Sequence, residues 1–446
     1  SSSSSSSSYR ATIGEIAEEE NPVVRIFRSG DPATRDPYDI EKEELTTLVD
    51  DLLLRTRALM DGRLDGKRDG DNGENVDSQA TASDSASAHH VIAFSGGIDS
   101  SVAAALVHAV VSTSSSSVPF SLPASQSLSL SLPSARYHSE TATAVLGISP
   151  AVPDDQRLLA AEVADAIGIR FEQIHTTEGS DAVYQANDGR ACLACKTHLY
   201  NNVKGIADYY DPYRLGGGAK DNTNGNANIN ATTTTTTTST TTSTSISTTD
   251  TWLYNGTNAE DGTDPTRLGL IAASEFGVRS PLEHLSKSTI RKVGRHAFGL
   301  PNWDRAAAPC LRSRLAIGVM ATQDHLRIVA SAEKFVRREL DWDVRKSLRV
   351  RILTRNRAVI EAEVDDGNDG CNENDNEHSD DPDSGHWTLE QLRERLDGGG
   401  ATTATGLSPW RHYFQNELGF ASVDVRRFRS GSVAPKIVRP LPSLRN

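Results

Sequence analysis

The feature that most constrains this chain is a short apolar run followed at once by a glycine-rich turn and an apolar stretch. His90–Phe94 predicts a buried strand, Ser95–Ser100 reads Ser-Gly-Gly-Ile-Asp-Ser, and an Ala- and Val-rich stretch predicts a helix. Adjacent glycines let backbone N–H groups approach a ligand at the positive end of a helix. We therefore predict an anion-binding turn, although two glycines alone are also compatible with an ordinary strand-to-helix connection.

Further short apolar runs alternate with helical patterns on both sides of this turn. A helix is predicted over Glu41–Leu59, before the first strand. Strands are predicted at Thr143–Ile148, Ile169–Ile174 and Trp252–Tyr254, and a helix at Asp155–Ile167. This alternation is typical of an α/β fold with a parallel, doubly wound, Rossmann-like sheet.

Beyond Thr322 the pattern changes to that of a smaller α+β domain. Asp324–Leu340 is amphipathic, and Thr322 stands where a helix cap is expected. Leu348–Leu353 and Ala358–Val364 alternate apolar and charged residues around a short turn, which indicates a hairpin. Two helices, one from Trp387 and one at Pro409–Leu418, and a strand at Ala421–Phe428 complete this domain.

Low-complexity stretches interrupt both patterned regions. We predict a poorly ordered N-terminus over residues 1–40, a nucleotide-binding domain over 41–320 and the small domain over 321–446, with disordered inserts at about 61–89, 112–140, 216–250 and 365–385. The net charge is −14, of which residues 61–84 carry −4 and residues 365–383 carry −9. The rest is nearly neutral, so we expect no nucleic-acid partner.

Four cysteines in 446 residues exclude a disulfide scaffold. No apolar run is long enough for a membrane helix, and no signal-like segment is present, so we expect a soluble, cytoplasmic protein without a membrane partner. The sequence starts at Ser1 and not at Met, so this expectation covers the printed residues alone.

Three of the cysteines stand in patterned sequence. Cys192 and Cys195 form a Cys-x-x-Cys pair, and Cys310 follows in Ala-Pro-Cys-Leu-Arg-Ser-Arg, whereas Cys371 lies in an acidic insert. Three thiolates suit a [4Fe–4S] cluster with one open iron, and zinc would need a fourth ligand. Buried core cysteines are the simpler alternative.

Eight ordered motifs, taken together, resemble the LarE family of ATP-dependent sulfur transferases within the PP-loop ATP pyrophosphatase superfamily. They are Ser95–Ser100, Arg190–Lys196, Asn255–Asp261, Arg267–Gly269, Gly277–Leu282, Leu300–Asp304, Pro309–Arg314 and Phe428–Ser432. The resemblance implies a PP-loop domain, a smaller C-terminal domain and a homo-oligomer. It also implies a small-molecule nucleotide substrate, a pyridinium-biscarboxylate mononucleotide, which is adenylated and then receives sulfur in place of AMP.

The resemblance assigns roles to particular residues. ATP is expected on Ser95, Gly96, Gly97, Asp99 and Ser100, with Asp99 also binding Mg²⁺. Substrate phosphate is expected on Arg267 and Arg314, for which ordinary salt bridges are the alternative. Cys192, Cys195 and Cys310 are expected to carry sulfur, by a cluster in the route we favour, or by sacrifice of one cysteine as dehydroalanine.

Two other functions fit the same sequence. An amide-forming synthetase of the NAD or GMP synthase type would use the same loop but leaves the three cysteines without a role. A non-catalytic PP-loop scaffold would use its long polar inserts to bind partners.

Overall fold

The computed structural model describes residues 38, 40–62, 88–115, 141–209, 250–264, 267–364, 387–398 and 406–429. The predicted inserts at 112–140, 216–250 and 365–385 lie largely outside these residues, as do almost all of the predicted N-terminal segment and the insert at 61–89. Among the described residues, no helix is both long and apolar enough to cross a membrane.

The first part of the chain forms a four-stranded, wholly parallel sheet in the order β3-β2-β1-β4. Its strands and flanking helices are α1 (Lys42–Met60), β1 (Ala88–Ala93), α2 (Ile98–Ser115), β2 (Thr141–Ile148), α3 (Asp154–Ile167), β3 (Arg170–His175), α4 (Ala182–Ala186), α5 (Ala191–Tyr209), β4 (Asp250–Tyr254), α6 (Ala259–Thr263), α7 (Gly269–Glu275) and α8 (Lys287–Lys292). The parallel α/β fold predicted from the sequence is confirmed.

Helices cover both faces of this sheet because successive strand residues point to opposite sides. Ile92 and Leu146 pack into a core that is shared with the apolar residues of α1, α2 and α3. Val91 and Val145 face the other way and pack with Val203 of α5. The sheet is therefore doubly wound, and its carboxyl edge is left to the loops that follow the strands.

The second part of the chain forms a three-stranded mixed sheet in the order β5-β6-β7. Its elements are α9 (Gln323–Leu340), β5 (Leu348–Leu353), β6 (Arg357–Ala362), α10 (Leu389–Asp397), α11 (Pro409–His412) with a π-helical turn (Tyr413–Glu417), and β7 (Ser422–Arg427). β5 and β6 are antiparallel, and β6 and β7 are parallel. These strands and helices enclose a second hydrophobic core.

Local sequence signals account for where several elements begin and end. The Thr322 side chain accepts a hydrogen bond from the His325 backbone N–H and so caps α9. Gly168 ends α3 in the left-handed conformation, with φ of 77°. The β5–β6 turn places Arg355 and Asn356 at positive φ, which matches the right-handed twist of a two-residue hairpin.

Candidate functional site

The turn between β1 and α2 is held by its own serines. The Ser95 backbone N–H donates to Ser100 Oγ at 3.2 Å, and Ser100 Oγ donates to the Gly97 carbonyl at 2.9 Å. Ser95 Oγ accepts from the Gly97 N–H at 3.3 Å. Ser95 and Gly97 remain exposed, while Ser100 is buried. The loop is thus fixed from within and open on the side from which an anion would approach the N-terminus of α2.

Close packing holds the loop from outside as well. Gly96 has φ of 70°, and a Cβ there would lie 2.7 Å from Ala160 Cα of α3. A Cβ on Gly256, just after β4, would lie 2.5 Å from the Asp99 carbonyl carbon. The buried Asn302 amide donates to the Gly96 carbonyl at 2.8 Å and to Ser101 Oγ at 3.0 Å. These contacts define the backbone of the loop before any ligand binds.

Asp99 faces a lysine that sequence reasoning did not identify. Lys287, the first residue of α8, forms an ion pair with Asp99 Oδ2. The second oxygen, Oδ1, is buried, and no described residue hydrogen-bonds to it. An unpartnered buried carboxylate oxygen suits a hard cation such as Mg²⁺. The only sequence signal for Lys287 is its position just after the helix cap Ser286, which by itself does not predict contact with the loop.

The three cysteines lie beyond the carboxyl edge of the same sheet. Asn202 of α5 donates to the carbonyl of His175, the last residue of β3, at 3.3 Å. Cys192 and Cys195 precede Asn202 in the same helix, so at a rise of ~1.5 Å per residue they extend past this edge. The Leu311 N–H, next to Cys310, donates to the Ala151 carbonyl in the loop after β2 at 2.8 Å.

A guanidinium group contacts the cysteine set directly. Arg312 Nη2 donates to Cys192 Sγ at 2.7 Å, and its Nη1 donates to Asn187 Oδ1 at 3.0 Å. Asn187 is fully buried, and its amide donates to the carbonyls of Ala316 and Val319 at 3.0 Å each. Arg312 is therefore held from behind by a rigid side chain. Sequence reasoning missed this contact because its partners are more than a hundred residues apart.

Crowding by protein atoms raises the pKa of two of these thiols, Cys192 and Cys195. Burial raises the pKa of Cys195 to about 12, and the nearby Cys310 raises it further in the same direction. Loss of hydration also raises the pKa of the Cys192 thiol, although Cys192 as a whole residue is exposed. The Arg312 guanidinium acts in the opposite direction and lowers this pKa. Lys196 lies in the same environment, where the cysteines and Tyr200 raise its pKa despite burial.

The fit of these residues to a metal or cluster can be judged from their arrangement. Within the described part of the chain, no group of three or more His, Cys, Asp or Glu side chains is arranged to hold a metal ion. One of the three sulfurs also accepts a hydrogen bond from Arg312. The arrangement therefore does not fit the cluster that the sequence favoured, and we derive no step through one.

The two arginines expected to bind phosphate stand in different surroundings. Arg267 is half exposed and pairs with Asp261 at 2.8 Å. Arg314 is buried and makes a double hydrogen bond to Glu333, at 2.8 and 3.1 Å, inside the second core. In this structure the Arg314 guanidinium is thus engaged in a buried ion pair. In the motif Pro309–Arg314, it is Arg312 whose guanidinium contacts a cysteine sulfur.

A chain of contacts joins the loop to the cysteines. Gly256 touches the loop backbone at Asp99, and the neighbouring Asn255 amide donates to Tyr200 Oη of α5 at 3.4 Å. Lys196 lies 5.7 Å from the centre of the Tyr200 ring. The sequence-predicted loop and the cysteines therefore occupy one edge of the sheet, as expected for ligand-binding loops of an open α/β fold.

No family model matches the chain. It is 27% identical over 250 residues to the uncharacterized protein slr1717 of Synechocystis sp., covering 56% of this chain and 68% of that protein. It is also 37% identical over 73 residues to the pyridinium-3,5-bisthiocarboxylic acid mononucleotide synthase of Lactiplantibacillus plantarum. That match covers 16% of this chain and about a quarter (26%) of the synthase.

Among solved structures, the NMN synthetase of Francisella tularensis is similar over 60% of this chain and 76% of that one. The identity is 15% and the TM-score is 0.30, a resemblance too weak to define chemistry. The described residues thus show a doubly wound parallel sheet that carries the Ser95–Ser100 loop and the cysteines at its carboxyl edge.

Proposed function

We propose that this protein is an ATP-dependent sulfur transferase that adenylates a substrate carboxylate and then replaces AMP with sulfur. The observation that carries the proposal is the placement of the Ser95–Ser100 loop and three cysteines on one sheet edge, joined through Asn255 and Tyr200. The similarity to a bisthiocarboxylic acid mononucleotide synthase supports a pyridinium carboxylate mononucleotide as substrate.

In the first half-reaction, a carboxylate oxygen attacks the α phosphorus of ATP and pyrophosphate departs. The loop N–H groups and Lys287 would stabilise negative charge on the departing group. Asp99, through its unpartnered Oδ1, would hold Mg²⁺, whose charge offsets that of pyrophosphate.

In the second half-reaction, a cysteine thiolate attacks the acyl adenylate, so that a thioester forms and AMP leaves. Loss of the proton on the cysteine Cα, with cleavage of its Cβ–S bond, then leaves the thiocarboxylate and a dehydroalanine. This route requires no external oxidant or reductant. The Arg312 contact supports Cys192 as a thiol that can ionise, and Cys310 and Cys195 lie beside it.

The test combines nucleotide analysis with mass spectrometry. Purified protein is incubated with ATP, Mg²⁺ and one of two substrates, nicotinic acid mononucleotide or pyridinium-3,5-biscarboxylate mononucleotide. We expect a product in which sulfur replaces one carboxylate oxygen. Intact-protein mass spectrometry should then find one cysteine converted to dehydroalanine. Iron and acid-labile sulfide that track with activity, with unchanged protein mass, would instead indicate the cluster route.

Variants of each cysteine sharpen this test. Cys192→Ala, Cys195→Ala and Cys310→Ala should retain AMP formation, because ATP binds at the loop, and at least one should lose sulfur transfer. Cys371→Ala, which lies outside the described residues, is the matched control and should retain both. Amide formation from ammonia by all four variants would refute sulfur transfer and favour a synthetase.

A further inference from the structure

A groove on the second domain presents four aromatic rings, and no role in the proposed chemistry explains it. Phe335 of α9 stacks on Tyr413 with ring centres 4.0 Å apart, and Trp410 meets Phe335 edge-on at 5.7 Å. Trp387 lines the same groove, and its indole N–H donates to the Leu340 carbonyl. We call these four residues the aromatic groove; the cavity measures about 560 Å³.

The groove is open and its rings are only partly covered. Phe335, Trp387 and Tyr413 are half-buried, while Trp410 is buried and supports them. The ring positions are therefore fixed by packing. The rings of Trp387 and Tyr413 are partly exposed in the groove, and the Arg395 guanidinium lies 6.0 Å from the centre of the Trp387 ring. Rigid aromatic surfaces of this kind bind extended proline-rich chains, whose preset conformation reduces the entropy lost on binding.

The rim of the groove is acidic. Glu339, Glu394 and Glu417 line it together with Arg395, and the Arg338 guanidinium lies beside it, 5.7 Å from the centre of the Phe335 ring. Arg338 pairs with Glu339 at 2.8 Å, and His412 lies 3.8 Å from Glu417. All three carboxylates are exposed, so the rim favours a ligand that carries positive charge beside its prolines.

One segment of this chain has the matching composition. Residues 433–446 read Val-Ala-Pro-Lys-Ile-Val-Arg-Pro-Leu-Pro-Ser-Leu-Arg-Asn, with three prolines, three basic residues and no acidic residue. This tail segment lies outside the described residues. We propose that the tail segment binds in the aromatic groove of its own chain, with prolines on the rings and Lys436 and Arg439 against the glutamates.

The connection between groove and tail is short enough. Arg411, next to Trp410, donates to the Val423 carbonyl near the start of β7 at 3.3 Å. From there β7 runs to Arg427, roughly 14 Å at ~3.4 Å per residue. Seven residues in a polyproline conformation, from Arg429 to Lys436, cover about 22 Å. The basic and proline-rich part of the tail segment can therefore return to the groove without strain.

The test is carbodiimide cross-linking of the full chain, which joins an amine directly to a carboxylate it touches, read out by peptide mass spectrometry. We expect Lys436 to couple to Glu394, Glu417 or Glu339, and not to Glu43 or Glu44, which are exposed on α1. Mixing isotope-labelled with unlabelled protein should give links within one copy only.

Two sets of variants keep the proposal falsifiable without disturbing the fold. Arg439→Glu, in the tail segment, should lower the Lys436 link about fivefold. Glu394→Gln combined with Glu417→Gln removes two coupling sites on the exposed rim, and the remaining link of Lys436 to Glu339 should also fall about fivefold as the rim loses charge. The link should also fall at roughly 1 M salt, where charges are screened within ~3 Å. Links from Lys436 spread evenly over surface carboxylates, unchanged by these variants, or links only between copies, would overturn the proposal.

Discussion

The Ser95–Ser100 loop and the three cysteines lie on one edge of the same sheet, but their surroundings differ. The loop is hydrogen-bonded within itself and packed against Ala160 and Gly256, while Ser95 and Gly97 are exposed. The cysteines are crowded, and burial raises the pKa values of Cys192 and Cys195. Under the proposed function, the difference means that the ATP site is preorganised, whereas the sulfur step needs a further event, such as substrate binding, to form a thiolate.

The largest expected effect comes from filling the space between β4 and the loop. Gly256→Ala would place a methyl group 2.5 Å from backbone atoms of Asp99 and Ser100, which cannot move without reshaping the loop. We expect both AMP formation and sulfur transfer to fall by roughly 10³-fold or more, since a small displacement of the reacting groups suffices. Steady-state assays of AMP release measure this loss.

Gly262→Ala is the matched control, because no described residue outside its own helical turn lies within 4 Å of the position its Cβ would occupy. It also stands in helix α6, where Ala is favoured over Gly. Equal activity of the two variants would contradict the view that close packing defines the loop.

Removing the lysine beside Asp99 should have the next largest effect. Lys287→Met retains the bulk of the side chain but removes the charge that faces Asp99 Oδ2. We expect AMP formation to fall about 10²- to 10³-fold, as for loss of a group that stabilises transition-state charge. Thermal unfolding should change little because this pair is partly exposed.

The exposed Lys334→Met on α9 serves as the control for this change. If Lys287→Met lowers sulfur transfer but leaves AMP formation intact, the lysine belongs to the cysteine region and not to the loop.

Replacing Arg312 should affect the cysteines and leave the loop unaffected, the reverse of the change at Lys287. Arg312→Ala removes the guanidinium at 2.7 Å from Cys192 Sγ, which is the principal interaction lowering the pKa of that thiol. We expect sulfur transfer and alkylation of Cys192 by iodoacetamide to slow about tenfold, while AMP formation is unchanged. Arg393→Ala, at an exposed position of α10, is the control.

A difference in pH dependence tests the same comparison without any mutation. A raised thiol pKa means that little thiolate exists at pH 7, so the sulfur step should accelerate as pH rises, by up to about tenfold per unit below that pKa. The adenylation step needs no thiolate and should vary less. Parallel rate profiles from pH 7 to pH 9 for AMP release and thiocarboxylate formation measure this, and identical slopes would contradict it.

Much of the fold could be predicted because its signals are local. Gly168 and Thr322 mark helix ends by backbone and capping chemistry, and strand runs such as Thr143–Ile148 differ from the observed strands by one or two residues. Contacts between residues far apart in the sequence could not be predicted from such local signals. Lys287 meets Asp99 across 188 positions, and Arg312 meets Cys192 across 120.

The buried ion pair of Arg314 with Glu333 could be predicted in part from the sequence. Glu333 shares the apolar face of α9 with Leu326, Val329 and Val336, so a charged residue at that spacing signals a buried partner. The sequence identified the arginine but not the carboxylate that holds it. The resemblance assigned Arg314 to substrate phosphate, and its surroundings here are those of a structural ion pair.

The central claim is that the loop supports cleavage of ATP between its α and β phosphates to activate a carboxylate. The most direct measurement is the identity of the nucleotide formed when the protein is incubated with ATP, Mg²⁺ and the pyridinium carboxylate, resolved by ion-exchange chromatography. We predict AMP and pyrophosphate in equal amounts, dependent on the carboxylate and lost in Asp99→Asn. Formation of ADP and phosphate by the same protein would contradict the account.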